Sequence, residues 1–382
     1  MDDSVFQARY QRVPSAWRRC CRRAITVAVA IAGVLCAAAQ VAHCAPPASD
    51  TAPRVALSST RPTDDPPKLE PPVVVDGEPV VEPEPCEKCS ECLDSFWTIN
   101  TRCLPTIGCG NSAEFNPKVS RYGCKEGWSP STLEEFLADR DPNSMTVFYI
   151  HGNVTSHDGA VMVTKQLMHR LPAKLPSGRR LRLVQWSWPS NYDLNNLRDK
   201  TQAAGARAAS ESYYLGRLVT LMNPDEPIMF IGYSFGARIT TGMFHLIAGS
   251  QLGGRRLNDE FAKSETLTHG RMRAVLLAAA IDVDWLVPGH FHGNALQVPE
   301  RVRVTVNPQD IVLRVYPSSE RRNANEALGL VGPIGMGPNS NKVFTTNVNS
   351  ALGRRHGSSY HMTSPLINGM IRYELNAFDE AQ

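Results

Sequence analysis

The segment Gly232-Tyr233-Ser234-Phe235-Gly236 carries the most specific chemical signal in this sequence. A serine that must leave a buried strand and enter a helix within one residue is crowded, and glycines two positions to either side relieve the crowding. The turn lifts the hydroxyl clear of the strand ends and sets a helix N-terminus behind it. The chemistry implied is nucleophilic attack on an acyl carbon, with the Phe235 N–H meeting the oxyanion. Chance produces such a pentapeptide often, and a serine in an ordinary glycine-rich turn is the competing reading. Here the apolar run Pro227–Tyr233 precedes it and the helix-compatible run Phe235–Ile247 follows, which is the context the mechanism needs.

An oxyanion needs a second donor from another loop. His151-Gly152-Asn153 directly follows an earlier apolar run. Gly152 lets the backbone approach closely, and the Asn153 N–H is the candidate donor. His151 itself is read as a residue that packs and shapes the loop. A serine of this kind is followed in the chain by an acid and then a histidine. Asp310, after the second strand beyond the nucleophile, is selected as the acid that orients the imidazole. Asp282 and Asp284, one strand earlier, are read as capping or loop hydrogen-bonding residues. The base comes from His356-Gly357-Ser358-Ser359-Tyr360-His361. His356 is preferred for its place at the start of the loop, with His361 as the alternative. His290 and His292 are peripheral on this reading. No metal and no organic cofactor is required.

These residues must be held by a scaffold, and the chain from residue 125 onward supplies one. Strand-like apolar runs alternate with longer helix-like stretches, the pattern of a mainly parallel sheet with helices on both faces. The expected strands are Met145–Ile150, Leu181–Trp188, Pro227–Tyr233, Met272–Ala280, Val302–Val306 and Lys342–Val348. The expected helices run from about Gly159 to Leu171, Leu194 to Met222, Phe235 to Ile247 and Ser364 to Ala377. Gly329–Pro338 reads as a loop.

The first third of the chain is different. Arg9, Arg12, Arg18, Arg19, Arg22 and Arg23 face only Asp2 and Asp3 in the first 39 residues, so the formal charge of +3 leaves a near-neutral body. That body has no electrostatic footprint for nucleic acid. The arginines precede an uncharged apolar run from Ala24 to Ala39 that ends in Ala37-Ala38-Ala39, the pattern of a cleaved secretion signal in residues 1–44. Retention as a membrane anchor over residues 24–42 is the alternative, and lipidation at Cys44 is a weaker one. Each places the body outside the cytoplasm or facing away from it: periplasmic, in the cell envelope, or secreted. Residues 45–85 hold eleven prolines and read as an extended disordered linker.

All ten cysteines precede residue 125. Six of them, Cys86, Cys89, Cys92, Cys103, Cys109 and Cys124, fall in a segment taken as 86–128, with the main domain at 129–382. In an exported chain an even number of close cysteines argues for disulfides, whose pairing the sequence leaves open. A zinc or iron–sulfur site on Cys86-x-x-Cys89-x-x-Cys92 is the competing reading, but its spacings complete no standard pattern.

The chain also resembles a known family. Trp186-Ser187-Trp188-Pro189-Ser190, Asp199, the Ser234 turn, Ala280-Ile281-Asp282-Val283-Asp284 and His151-Gly152 recur together in a bacterial family of alpha/beta hydrolases of unknown function. The similarity runs from about Met145 to Leu375 and leaves the cysteine-rich segment, with Phe96–Arg102, outside it. The resemblance implies an alpha/beta-hydrolase fold with Ser234, Asp310 and the C-terminal histidine as its triad. The family elbow usually reads His-Ser-Met-Gly, so Tyr233 and Phe235 are departures that bear on substrate more than on reaction class.

The expectation is therefore an exported serine hydrolase that cleaves an ester or related acyl bond of a small or lipid-like substrate. Tyr149, Trp186, Trp188 and Tyr192 are candidate pocket residues, with a structural role as the competing reading for the two tryptophans. The rival reading is a non-catalytic cell-surface binding module on the same scaffold, because fold alone does not fix function.

Overall fold

The computed structural model describes residues 95–382 apart from 108–113, 124–125, 140, 142, 173, 191–196, 258–270, 321–324 and 381–382. The expected signal or anchor, the proline-rich linker, Tyr192 and every cysteine except Cys103 lie outside the described residues. Cys103 is exposed and has no cysteine partner among them. No helix among them is long and apolar enough to cross a membrane.

In chain order the principal elements are β1 (Phe96–Asn100), β2 (Lys118–Gly123), β3 (Gly127–Ser131), α1 (Leu133–Ala138), β4 (Ser144–Ile150), α2 (His157–Met168), β5 (Arg180–Ser187), α3 (Leu197–Leu221), β6 (Ile228–Tyr233), α4 (Phe235–Ile247), β7 (Met272–Leu277), β8 (Arg301–Val306), α5 (Ile311–Glu320), β9 (Val343–Asn347), α6 (Ser358–Thr363) and α7 (Pro365–Glu380). Short helical turns at Leu328–Val331 and Gly337–Lys342 break up the stretch expected to be loop.

The strands form one nine-stranded sheet in the order β3-β2-β1-β5-β4-β6-β7-β8-β9. Only the β1–β2 and β2–β3 pairs are antiparallel. The rest run parallel, with β1 beside β5. A mostly parallel sheet of this order with crossover helices is an alpha/beta-hydrolase-like fold. Every residue of β4, β6 and β7 is buried, as covered parallel strands require, and this is why they read in the sequence as continuous apolar runs.

The two faces carry different helices. Phe230 of β6 meets Phe244 of α4 edge-on at 5.4 Å, and α3 packs on α4. Arg273 of β7 is level with Met229, the neighbour of Phe230, so it points to the other face. There its guanidinium lies 4.7 Å from the ring of Phe378 in α7. The predicted helices on both faces are thus present.

Strands β1–β3 correct the expected domain boundary. β1, β2 and β3 are part of the same sheet, and β3 spans the 128/129 boundary. Phe96, Trp97 and Ile99 are buried in the shared core. Trp97 Nε1 donates to Ser95 Oγ and to Asp139. Buried ion pairs pin the layers. Arg182 in β5 donates with Nη2 to both oxygens of Glu226, at 2.9 and 3.0 Å. Glu211 in α3 accepts from Arg207, Trp186 and Thr101; burial nonetheless pushes its carboxyl up.

Candidate active site

The parallel strands all end at one edge of the sheet, and β4 lies between β5 and β6 where the strand order reverses. Such a switch point opens a crevice beyond the carboxyl ends of the strands. The loops leaving β4, β6, β8 and β9 there deliver His151–Asn153, Ser234, Asp310 and His356.

Ser234 has φ 53° and ψ −114°, a conformation that L residues adopt at a cost of about 1–3 kcal/mol. Packing enforces it. A Cβ at Gly236 would sit 2.0 Å from the Ile150 carbonyl oxygen, and one at Gly232 would sit 2.8 Å from the Gly236 oxygen. The Ser234 N–H donates to the Leu277 carbonyl and its own carbonyl accepts from the Ala280 N–H, which ties the turn to the end of β7.

His356 bridges serine and acid. Its Nε2 lies 3.2 Å from Ser234 Oγ and its Nδ1 lies 2.8 Å from Asp310 Oδ2. Asp310 is fully buried, and its other oxygen accepts the N–H groups of Val312 and Leu313 at the start of α5. The carboxylate is therefore fixed by a helix cap as well as by the imidazole. The Tyr233 hydroxyl donates to the His356 carbonyl, which braces the histidine loop from the residue beside Ser234.

His361, the alternative base, packs beside His356 with ring centroids 6.5 Å apart, and its hydrogen bond goes to Gly357 rather than to Ser234 or Asp310. It is buried with its Nδ1 3.2 Å from the Gly357 oxygen, and its ring packs edge-on to Tyr233. Burial lowers its pKa to about 4. Asp282 accepts from the Tyr316 hydroxyl and Asp284 from the Asn325 amide, while His356 is held by Asp310 instead.

The two expected oxyanion donors are uncommitted. The N–H groups of Asn153 and Phe235 donate to no acceptor among the described residues. Gly152 is packed so closely that a Cβ there would be 3.0 Å from that of Ser234. The Phe235 ring is buried under the Arg238 guanidinium, 4.5 Å away, so this residue offers the site its backbone rather than its ring.

Of the expected pocket residues, Tyr149 departs from that expectation and Trp188 follows its structural alternative. Tyr149 and Trp188 are fully buried. The Tyr149 hydroxyl has no hydrogen-bond partner among the described residues, and burial pushes its pKa up. Trp188 stacks on His151 and donates its indole N–H to the His151 carbonyl at 2.9 Å. Both support the loops rather than face a substrate. His151 is likewise structural, and burial drives its pKa down to about 3.

One residue escaped the sequence reading. Arg102, just past β1, donates to Ser187 Oγ, to the Thr155 carbonyl and toward His151 Nε2. Its signal was position alone: an arginine closing the apolar run Phe96–Ile99. A cavity of about 240 Å³ between α3 and α4 is lined by Arg238, Trp285 and His292, and Ser234 does not line it. Among the described residues no group of three His, Cys, Asp or Glu side chains could hold a metal.

The fold and the Ser–His–Asp arrangement define the general class, an alpha/beta-hydrolase-like scaffold with a hydrogen-bonded serine. Comparison with known proteins adds no family: no family model matches the chain, and no curated protein matches it. Among solved structures, an acetyl xylan esterase aligns at 12% identity and TM-score 0.29, over 62% of this chain and 97% of its own. A proposed cell surface hydrolase from Lactobacillus plantarum WCFS1 aligns at 11% and 0.32, over 63% and 93%. The catalytic core domain of acetyl xylan esterase from Trichoderma reesei aligns at 12% and 0.28, over 63% and 100%. Likenesses at this level bear on neither activity nor substrate.

Proposed function

We propose that this protein is an exported serine hydrolase that cleaves an ester or related acyl bond of a small or lipid-like substrate. The observation that carries the reading is the hydrogen-bonded line from Ser234 through His356 to Asp310. The hydroxyl attacks the carbonyl while His356 Nε2 takes its proton. Asp310 holds the Nδ1–H tautomer and stabilises the imidazolium that forms. The N–H groups of Phe235 and Asn153 receive the oxyanion, and His356 then protonates the leaving group. Water, deprotonated by the same imidazole, releases the acid. Export rests on the arginine-led apolar N-terminus.

Labelling with a fluorophosphonate probe tests the chemistry. Ser234 should become modified in the wild type, and Ser234→Ala should not label. A folded wild-type protein that stays unlabelled and cleaves none of a panel of short- to long-chain acyl esters would overturn it.

A further inference from the structure

The peptide between Gly152 and Asn153 carries one donor of the proposed oxyanion hole. Its carbonyl belongs to Gly152 and its N–H to Asn153. In a planar trans peptide these point in opposite directions, so whatever fixes the one aims the other. The Gly152 carbonyl is held by His151 Nδ1 at 2.8 Å. That contact is a hydrogen bond only when Nδ1 carries the proton, which in the neutral ring leaves the lone pair on Nε2.

Two donors impose this tautomer. The Trp188 N–H reaches Nε2 at 3.1 Å and an Arg102 Nη2 lies 3.3 Å from it. Neither group can accept a hydrogen bond, so each requires a lone pair on Nε2. The same Nη2 donates to the Thr155 carbonyl at 2.8 Å, and Nε donates to Ser187 Oγ at 3.0 Å. One guanidinium thus clamps the loop at both its start and its end.

Arg102 is itself fixed. The Thr101 N–H donates to the Ser187 carbonyl at 2.9 Å, the Thr101 hydroxyl donates to Glu211 at 2.8 Å, and the Arg102 N–H donates to Asn100 Oδ1 at 3.0 Å. The anchor is the buried Arg207–Glu211 pair of α3, and Arg207 also donates to the Thr101 carbonyl.

We propose that Arg102 is the positioning residue of the oxyanion loop: acting through the His151 imidazole and the Thr155 carbonyl, it aims the Asn153 N–H at the carbonyl under attack. The inference rests on the serine-hydrolase reading. It also gives strand β1, which lies outside the segment of family resemblance, a part in the chemistry.

The test uses the full-length protein with Arg102→Ala and Arg102→Lys. Loss of a whole oxyanion donor costs about 10²–10³ in kcat. Misaiming one, with Trp188 still on Nε2, should cost about tenfold or more with KM little changed. Lysine, which keeps a charged donor but not the fork, should recover part of the rate. In 15N-resolved NMR the His151 ring nitrogens and the Asn153 amide should shift in the alanine variant. Variants that label and turn over at the wild-type rate would overturn the proposal. So would a loss explained wholly by a smaller folded fraction, or unchanged His151 and Asn153 signals. If Arg102→Ala does not fold, Arg102→Lys decides by the same readings. If wild type fails to label at all, the hydrolase reading falls, and the NMR shifts still decide whether Arg102 aims this peptide.

Discussion

Asp310 holds His356 with one carboxylate oxygen and caps α5 with the other, so a single buried side chain serves both the imidazole and the helix behind it. The two roles separate by substitution. Asparagine keeps a capping oxygen but can present N–H where the histidine needs an acceptor. Asp310→Asn should lower kcat by about 10⁴ with the wrong tautomer favoured, while the thermal midpoint barely moves. Asp310→Ala should lose activity and, in addition, about 0.5–2 kcal/mol of stability from the missing cap. Ester turnover paired with thermal melts checks both, and equal turnover by Asp310→Asn and wild type would remove Asp310 from the mechanism.

The two close glycines should behave differently from each other. A Cβ at Gly236 meets a backbone carbonyl at 2.0 Å, which cannot move without disturbing β4. Gly236→Ala should unfold the protein or lower its stability by about 3 kcal/mol or more, at or beyond the usual cost of overpacking. At Gly152 the contacts are 2.9–3.0 Å and involve the Tyr233 and Ser234 side chains. Gly152→Ala should fold and lose kcat, because the nucleophile is displaced. Melting curves against labelling rates distinguish the two patterns.

Acid should destabilise the fold through its buried imidazoles. His361 and His151 titrate near 4 and 3 in the folded protein because burial disfavours the charged ring. In the unfolded chain they titrate at about 6.5. Between these values the unfolded state binds more protons, so stability rises with pH. Their contribution is complete above about pH 6.5 and is lost as pH falls through 4 toward 3. Denaturant titrations of His361→Gln should show a shallower acid slope than wild type; an identical slope would place the effect on other groups.

The Arg182–Glu226 pair is sealed, with side-chain exposures of 4% and 7%. Removing one partner leaves a buried uncompensated charge. Glu226→Ala should cost about 3–5 kcal/mol, measured by urea unfolding. A loss below about 1 kcal/mol would mean that water reaches Arg182 there.

Much of this architecture was legible because long apolar runs sit in covered strands. The helix Phe235–Ile247 was read with its observed bounds, and Ser234 followed from the glycines that its turn demands. The histidine was not fixed, because His356 and His361 share one loop and only tertiary direction separates them. Trp188 and Tyr149 stay ambiguous in the sequence for a related reason: an aromatic near a reactive loop reads alike whether it faces the pocket or backs the wall. Strands β1–β3 were missed because the surrounding cysteines suggested a segment held by staples, which hid the buried run Phe96–Ile99. Arg102 was invisible since its partner His151 lies 49 residues away.

The place of β1 has one more consequence. With β1 paired along Leu183–Ser187, β5 is an interior strand whose backbone groups are satisfied on both sides. A chain truncated to begin at Met145 would bare that flank, a row of unmatched N–H and C=O groups beside apolar side chains. Such an edge is a template for another copy to add to. The trimmed protein is therefore expected to precipitate or form fibrils rather than persist as a minimal domain.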